Sequence, residues 1–152
     1  MLNDRDFAVT VLITGASGFI GSALIAKLQK NGQLPVRACY RFGGIPDDAE
    51  GNFATVDSID GSTNWREALF GVDSIIHAAA RVHVMHDSST DPLYEFRRVN
   101  TEGTLNLARQ AVSAGVKRFV FVSSVKVNGG STCIGQPFKP SDPVKPEGAY
   151  GI

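Results

Sequence analysis

Cysteine is scarce in this chain of 152 residues: Cys39 and Cys133 are the two present, too few for a disulfide framework. Histidine is scarce as well, and no close cluster of Cys and His offers metal-ligand spacing. No apolar run is long enough to span a bilayer, and the opening MLNDRDF has no apolar signal-peptide core. Excess charge of either sign is also missing. Fifteen basic and fifteen acidic residues balance to a formal charge of zero, which leaves no broad field for nucleic acid or a membrane surface. These absences make the cytoplasm the default location. What is present is ordinary for a globular protein: 43% hydrophobic and 20% charged residues, in a length that suits about one domain with a real core.

The most informative stretch is Val9–Lys27, VTVLITGASGFIGSALIAK. Val9, Val11, Leu12 and Ile13 form a short β-branched run, the pattern of a strand buried on both faces. Gly15, Gly18 and Gly21 follow at every third position, and Ile20, Ala23, Leu24 and Leu28 then recur at helical spacing. Strand, glycine turn and helix in that order point to dinucleotide binding, the alternative being an ordinary βα turn that happens to contain glycines. Gly15 serves the tight turn, Gly18 lets backbone approach a pyrophosphate, and Gly21 lets the helix pack closely on the strand. The helix start then faces the phosphates with free N–H groups and a positive dipole end.

Asn31-Gly32 stops this helix, and Leu34–Arg41 reads as a second strand. A carboxylate at its end would hold the ribose 2′-hydroxyl of NAD. Tyr40 stands there instead, followed by Arg41, which can meet the 2′-phosphate of NADP, stack on adenine, or simply be a solvated strand end. Gly43–Gly51 is a polar loop and Asn52–Ser58 a third strand. Asn64, with Glu67 after it, forms a capping-box-like start for a helix carrying Trp65, Ala68, Leu69 and Phe70. Gly71 ends it. Val72–His77 is a fourth strand, and Ala78, Ala79 and Ala80 follow it. Small side chains at a strand's carboxyl end leave room for a ligand, or merely serve close packing.

Arg81, His83 and His86 form a polar loop, its histidines read as solvated rather than ligating. Asp91-Pro92 is a helix start, an Asp cap with Pro in the first turn. The helix is expected to reach about Ala114, with Phe96, Val99, Asn100, Gly103, Leu107 and Ala111 on one inward stripe. Asn100 is its polar member, satisfied locally or aimed at a site. Gly115 ends the helix, and Arg118–Ser123 is a nearly all-apolar fifth strand with Ser123 and Ser124 at its carboxyl end. Asn128–Ala149 is a long loop rich in Gly, Pro and Ser, and loops of that length in a compact domain are usually functional. No internal repeat is visible. Together the elements predict an α/β, doubly wound parallel sheet of Rossmann type, ordered 3-2-1-4-5.

Five segments resemble the extended short-chain dehydrogenase/reductase family, in its NAD-dependent epimerase/dehydratase branch. They are TGASGFIG (Thr14–Gly21), HAAA (His77–Ala80), VNTEGTLNL (Val99–Leu107), FVSSVKVNG (Phe121–Gly129) and AYG (Ala149–Gly151). Within the branch the likeness runs toward nucleotide-sugar 4-epimerases of the UDP-glucose type. The resemblance puts Gly15, Gly18 and Gly21 at the pyrophosphate of NAD, with turn N–H groups from Phe19 and Ile20. It puts Tyr40 and Arg41 at the ribose, Ser58 and Ile59 on the adenine side, and Ala78, Ala79, Ala80 and Ser123 along the cofactor. Asn100 would support the active-site hydrogen bonds, Ser124 would be the catalytic serine and Tyr150 the acid/base.

Two of these positions depart from the family's carboxylates: Tyr40 at the ribose, and Ser58 at the adenine, with Asp57 and Asp60 close by. The family's motif also continues past the tyrosine to a lysine, beyond Ile152. The chemistry shows what that lysine does. A phenolate takes the proton of the sugar hydroxyl as hydride passes to the nicotinamide. Free tyrosine has a pKa of about 10, so a phenolate near pH 7 needs ~4 kcal/mol of stabilisation, which nearby positive charge supplies. Lys126 is the basic residue nearest in sequence to the serine pair.

The resemblance therefore implies that residues 1–152 are an incomplete cofactor domain. It is the amino-terminal part of a homodimeric epimerase whose sugar-binding lobe lies elsewhere, and it does not turn over UDP-hexoses alone. A part of an NADP-dependent reductase, suggested by Arg41, and a non-catalytic dinucleotide-binding module are the alternatives. The apolar fifth strand is expected to leave an open edge that recruits other chains.

Overall fold

A computed structural model describes residues 9–32, 34–47, 49–82 and 89–152. The opening MLNDRDF, His83 and His86 lie outside the described residues.

Five parallel strands form one sheet. They are β1 (Val11–Thr14), β2 (Val36–Arg41), β3 (Phe53–Val56), β4 (Ser74–His77) and β5 (Arg118–Phe121), arranged β3-β2-β1-β4-β5. That is the expected order. Parallel strands need crossovers: α1 (Phe19–Asn31) follows β1, α2 (Arg66–Leu69) follows β3 and a long composite helix follows β4, while among the described residues no helix lies between β2 and β3. The register aligns Thr14 with Cys39 of β2 and with His77 of β4, so these three strands present their carboxyl ends together.

The alternation of strand side chains divides the core in two. Val11, Ile13, Val36, Ala38 and Tyr40 pack with Ile25 of α1 on one face. Leu12, Cys39, Val56 and Ile75 pack on the other, against Trp65, Ala68, Leu69, Leu107 and Ala111. Leu12, Ile13, Ile75, Trp65 and Leu107 are fully buried, so a truncation such as Leu107→Ala would cost about 2–5 kcal/mol.

Several boundaries and faces differ from expectation. Val9 is exposed and precedes β1 rather than opening it. In α1 the inward residues are Gly21, Leu24, Ile25 and Leu28, whereas Ile20 and Ala23 face solvent. Asn64 does not open a capping box. Its Oδ1 accepts from the Arg66 amide at 3.0 Å, an Asx-type turn, and α2 lasts a single turn from its cap at Trp65.

The composite helix begins as expected, with Asp91 Oδ1 accepting from the Tyr94 amide at 3.0 Å and Pro92 in the first turn. It is not uniform. After α3 (Pro92–Phe96) it widens into a π-helical segment, Arg97–Gly103, and then tightens into α4 (Thr104–Ser113). Phe96, Val99 and Asn100 are half-buried; full burial starts at Gly103. A 3₁₀ turn (Val125–Val127) precedes the long loop, and a short α5 (Gly148–Gly151) begins at its end.

Candidate functional site

The carboxyl ends of β1 and β4 meet at one place. Gly15 leaves β1 with φ +72°, a left-handed conformation that favours glycine, and a Cβ there would lie 2.8 Å from Ala79 Cα. A Cβ on Gly21 would overlap the Gly15 carbonyl oxygen, so α1 packs on the turn with no room to spare. Gly18 differs. Its φ of −80° suits any residue, and a Cβ would meet just one carbonyl, Gly15 O at 3.2 Å. What a side chain on Gly18 would fill is the open space above the turn. The glycines at 15 and 21 thus close the turn, and the glycine at 18 keeps its top bare.

Over that bare top α1 starts with no side-chain cap and no acidic residue in its first turn. Its leading N–H groups, at Phe19 and Ile20, sit where an anion could accept from them. The two side chains point outward, Phe19 at 93% exposure. A turn of this kind can hold a diphosphate. Opposite it, Ala78 and Ala79 are half-buried and Ala80 exposed, leaving the crevice floor free of bulk.

A buried polar relay holds the two sides of the crevice together. Thr14 Oγ1 and His77 Nδ1 share a hydrogen bond at 2.6 Å, and His77 Nε2 and Thr104 Oγ1 another at 2.9 Å. The Ala79 amide donates to Thr14 Oγ1 at 3.3 Å. Burial pushes the His77 imidazole down to about 4, so it is neutral at physiological pH. Its ring lies between β1, α4 and the rings of Phe119 and Phe121. Sequence reasoning read His77 only as a strand end, and missed Thr14 and Thr104 as its partners.

Asn100 is satisfied by main chain. Its Oδ1 accepts from the Arg81 amide at 2.7 Å, and its Nδ2 donates to the Arg81 carbonyl at 3.0 Å. It therefore fixes the segment leaving the Ala78–Ala80 turn. Tyr40 turns inward: it is buried in the α1-side core, edge-on to Phe53 with ring centroids 6.2 Å apart. The phenol is thereby spent on packing, and Arg41, exposed, is the side chain presented at the end of β2. Ser58 and Ile59 follow β3, with Ile59 packed toward Gly103.

The remaining candidates lie beyond β5. Ser123 is exposed, and Ser124 Oγ accepts from the Lys126 amide at 3.2 Å, capping the 3₁₀ turn. Lys126 Nζ donates to the Gly130 carbonyl at 2.9 Å. Tyr150 on α5 packs its ring 5.8 Å from that of Phe96. A Cβ on neighbouring Gly151 would lie 3.1 Å from the Lys126 carbonyl, which brings α5 against the turn that carries Ser124. Serine turn and tyrosine helix therefore adjoin. Among the described residues no group of His, Cys, Asp and Glu could hold a metal ion, and no helix is long and apolar enough to cross a membrane.

A parallel sheet ordered 3-2-1-4-5, with a glycine turn at the β1/β4 switch point, defines a Rossmann-type domain. The chain belongs to the NAD dependent epimerase/dehydratase family, whose model matches residues 11–152. It is 42% identical over 149 residues to the UDP-glucose 4-epimerase of Vibrio cholerae, a match covering 98% of this chain and 45% of that protein. Among solved structures it resembles a UDP-galactose 4-epimerase, at 31% identity and a TM-score of 0.73, covering 94% of this chain and 47% of the other. It also resembles MoeE5 in complex with UDP-glucose and NAD, at 32% identity and a TM-score of 0.72, covering 93% and 44%. The chain thus spans under half the length of these relatives.

Proposed function

We propose that this chain is the cofactor-binding part of an NAD-dependent nucleotide-sugar 4-epimerase. The observation that carries the reading is the abutment of Gly15 on Ala79 beneath the uncapped start of α1, a cradle whose open top a Cβ on Gly18 would enter. Likeness to a UDP-glucose 4-epimerase across 98% of the chain supports the substrate class.

In this reading the Gly15–Gly21 turn and the N–H groups of Phe19 and Ile20 hold the pyrophosphate. Ser58 and Ile59 border the adenine, Arg41 the ribose, and Ala78, Ala79, Ala80 and Ser123 line the path to the nicotinamide. Asn100 keeps that wall in place through Arg81. NAD, when bound, supplies a reversible hydride acceptor. Ser124, whose Oγ accepts from the Lys126 amide, shares a hydrogen bond with a sugar hydroxyl in this reading. Tyr150 then removes that hydroxyl's proton and later returns it. Lys126 keeps its positive charge while its Nζ donates to the Gly130 carbonyl at 2.9 Å. Epimerisation, UDP-hexose recognition and pairing into a homodimer belong to the whole protein.

Calorimetric titration with NAD tests the reading. Gly18→Val is expected to abolish binding while the chain stays folded, because its φ of −80° suits valine. Unchanged affinity in that variant would overturn the site. A second reading, NADP in place of NAD, draws on the exposure of Arg41 where a carboxylate is absent. A preference for NADP that vanishes in Arg41→Ala would establish it.

A further inference from the structure

We propose that Arg98 is a positioning residue for the adenine end of the dinucleotide, acting through Asp60 on the Ser58–Asp60 segment; this rests on the cofactor reading above. Arg98 stands on the π-helical segment, far in sequence from that loop, yet its Nη1 donates to Asp60 Oδ2 at 3.2 Å. Its Nη2 and Nε donate to Glu95 Oε2 at 2.9 and 3.3 Å, so the guanidinium is oriented from its own helix before it reaches the loop. Asp60 Oδ1 is turned the other way, accepting from the Ser62 amide at 2.9 Å and the Ser62 hydroxyl at 2.7 Å. The carboxylate is thus spanned between loop and helix.

The same helix receives the loop at a second point. A Cβ on Gly103 would lie 2.9 Å from Ile59 Cγ2 and 3.1 Å from the Asp60 amide, so any larger residue would push Ile59 away. Asn106 Nδ2 donates to the carbonyls of Asp60 and Thr63 at 3.1 and 2.8 Å, and Thr63 Oγ1 donates to the Ser58 carbonyl at 3.0 Å. Those main-chain bonds keep the loop folded without Arg98. The guanidinium adds a hold on the side-chain carboxylate of Asp60. Two residues of one helical turn thereby hold two segments: Arg98 the Ser58–Asp60 side, and Asn100 the Arg81 side. A π-helical turn at such a junction is a common device of functional sites.

The test is calorimetry on the whole chain with NAD, ADP and nicotinamide mononucleotide as probes. The Arg98 side chain is 36% exposed, so solvent screens the pair and a modest effect is expected. Arg98→Met should weaken NAD and ADP alike by roughly fivefold, the upper range for such pairs, and leave nicotinamide mononucleotide unchanged. Arg98→Lys should restore part of the loss. The double variant Arg98→Met/Asp60→Asn should be no worse than the weaker-binding single variant. Unchanged ADP affinity in Arg98→Met, or an equal loss for both half-ligands, would overturn the proposal and reduce Arg98 to a general structural role. A parent chain that binds none of the three probes would overturn the cofactor reading, and this inference with it.

Discussion

The two halves of the crevice are built to different standards. Around β1 and β4 the buried side chains are paired: Thr14, His77 and Thr104 share hydrogen bonds, and a Cβ on Gly15 would run into the Ala79 backbone. Beyond β5 the chain is held by bonds within its own loop, such as Lys145 N to Val127 O and Asn128 Nδ2 to the Asp142 carbonyl. Ile134 and Val144 there are exposed, and β5 itself has one strand neighbour and mostly exposed residues. The difference teaches that the half built on β1 and β4, which we propose takes the cofactor, is preformed by the core. The half carrying Ser124 and Tyr150 relies on loop contacts, which open more readily.

One substitution made twice breaks or sharpens this comparison most strongly. Gly15→Ala adds a Cβ 2.8 Å from Ala79 at a φ of +72°, and is expected to cost about 4 kcal/mol from strain and overpacking together. Gly135→Ala, at a φ of +79° with nothing within 4 Å, meets only the backbone term, about 1 kcal/mol. Urea unfolding of both variants measures the gap. Equal losses would mean that the two halves are equally tight.

Acid is the next lever. In the folded protein burial holds His77 near 4 instead of 6.5, so the unfolded chain binds the proton more tightly. The contribution of neutral His77 is complete above pH 6.5 and is lost as pH falls toward about 4, up to about 3 kcal/mol. Asp60 behaves separately. Hydrogen bonds from Ser62, chiefly, hold its carboxyl down to about 2, so its contribution is present above pH 3.8 and lost only below that. Denaturation midpoints from pH 7.5 to 4 should therefore fall steadily, and should flatten in His77→Gln. A flat profile in the parent chain would deny that the relay is the tight half.

The smallest effect on stability is expected at β5. Val120 is 51% exposed and Phe121 54%, on an edge with apolar side chains. Val120→Lys should change stability by less than about 0.5 kcal/mol, yet suppress concentration-dependent association in sedimentation. Association unaffected by the lysine would show that the edge is not the sticky surface.

Local pattern made the strands, the glycine turn and the Asp91 cap legible, because each depends on residues adjacent in sequence, and the strand order followed from the succession of strands and helices. Gly15, Gly18 and Gly21 could be read as a cradle before any coordinates, and the same holds for Asp91-Pro92 as a helix start. Other features depend on partners distant in sequence. Tyr40 looked like a ribose contact from its place at a strand end, but the pleat turned it into the core beside Phe53. The helical period of α1 could not tell that Ile25, not Ala23, meets the sheet, since that rotation follows from how the helix lies on β1 and β2. The widening at Arg97–Gly103 has no compositional mark, and neither does the pairing of Arg98 with Asp60. His77 shows the division best. Sequence by itself placed it at the end of β4, and the folded chain decided its chemistry, by enclosing it where two threonines are its partners and water cannot reach.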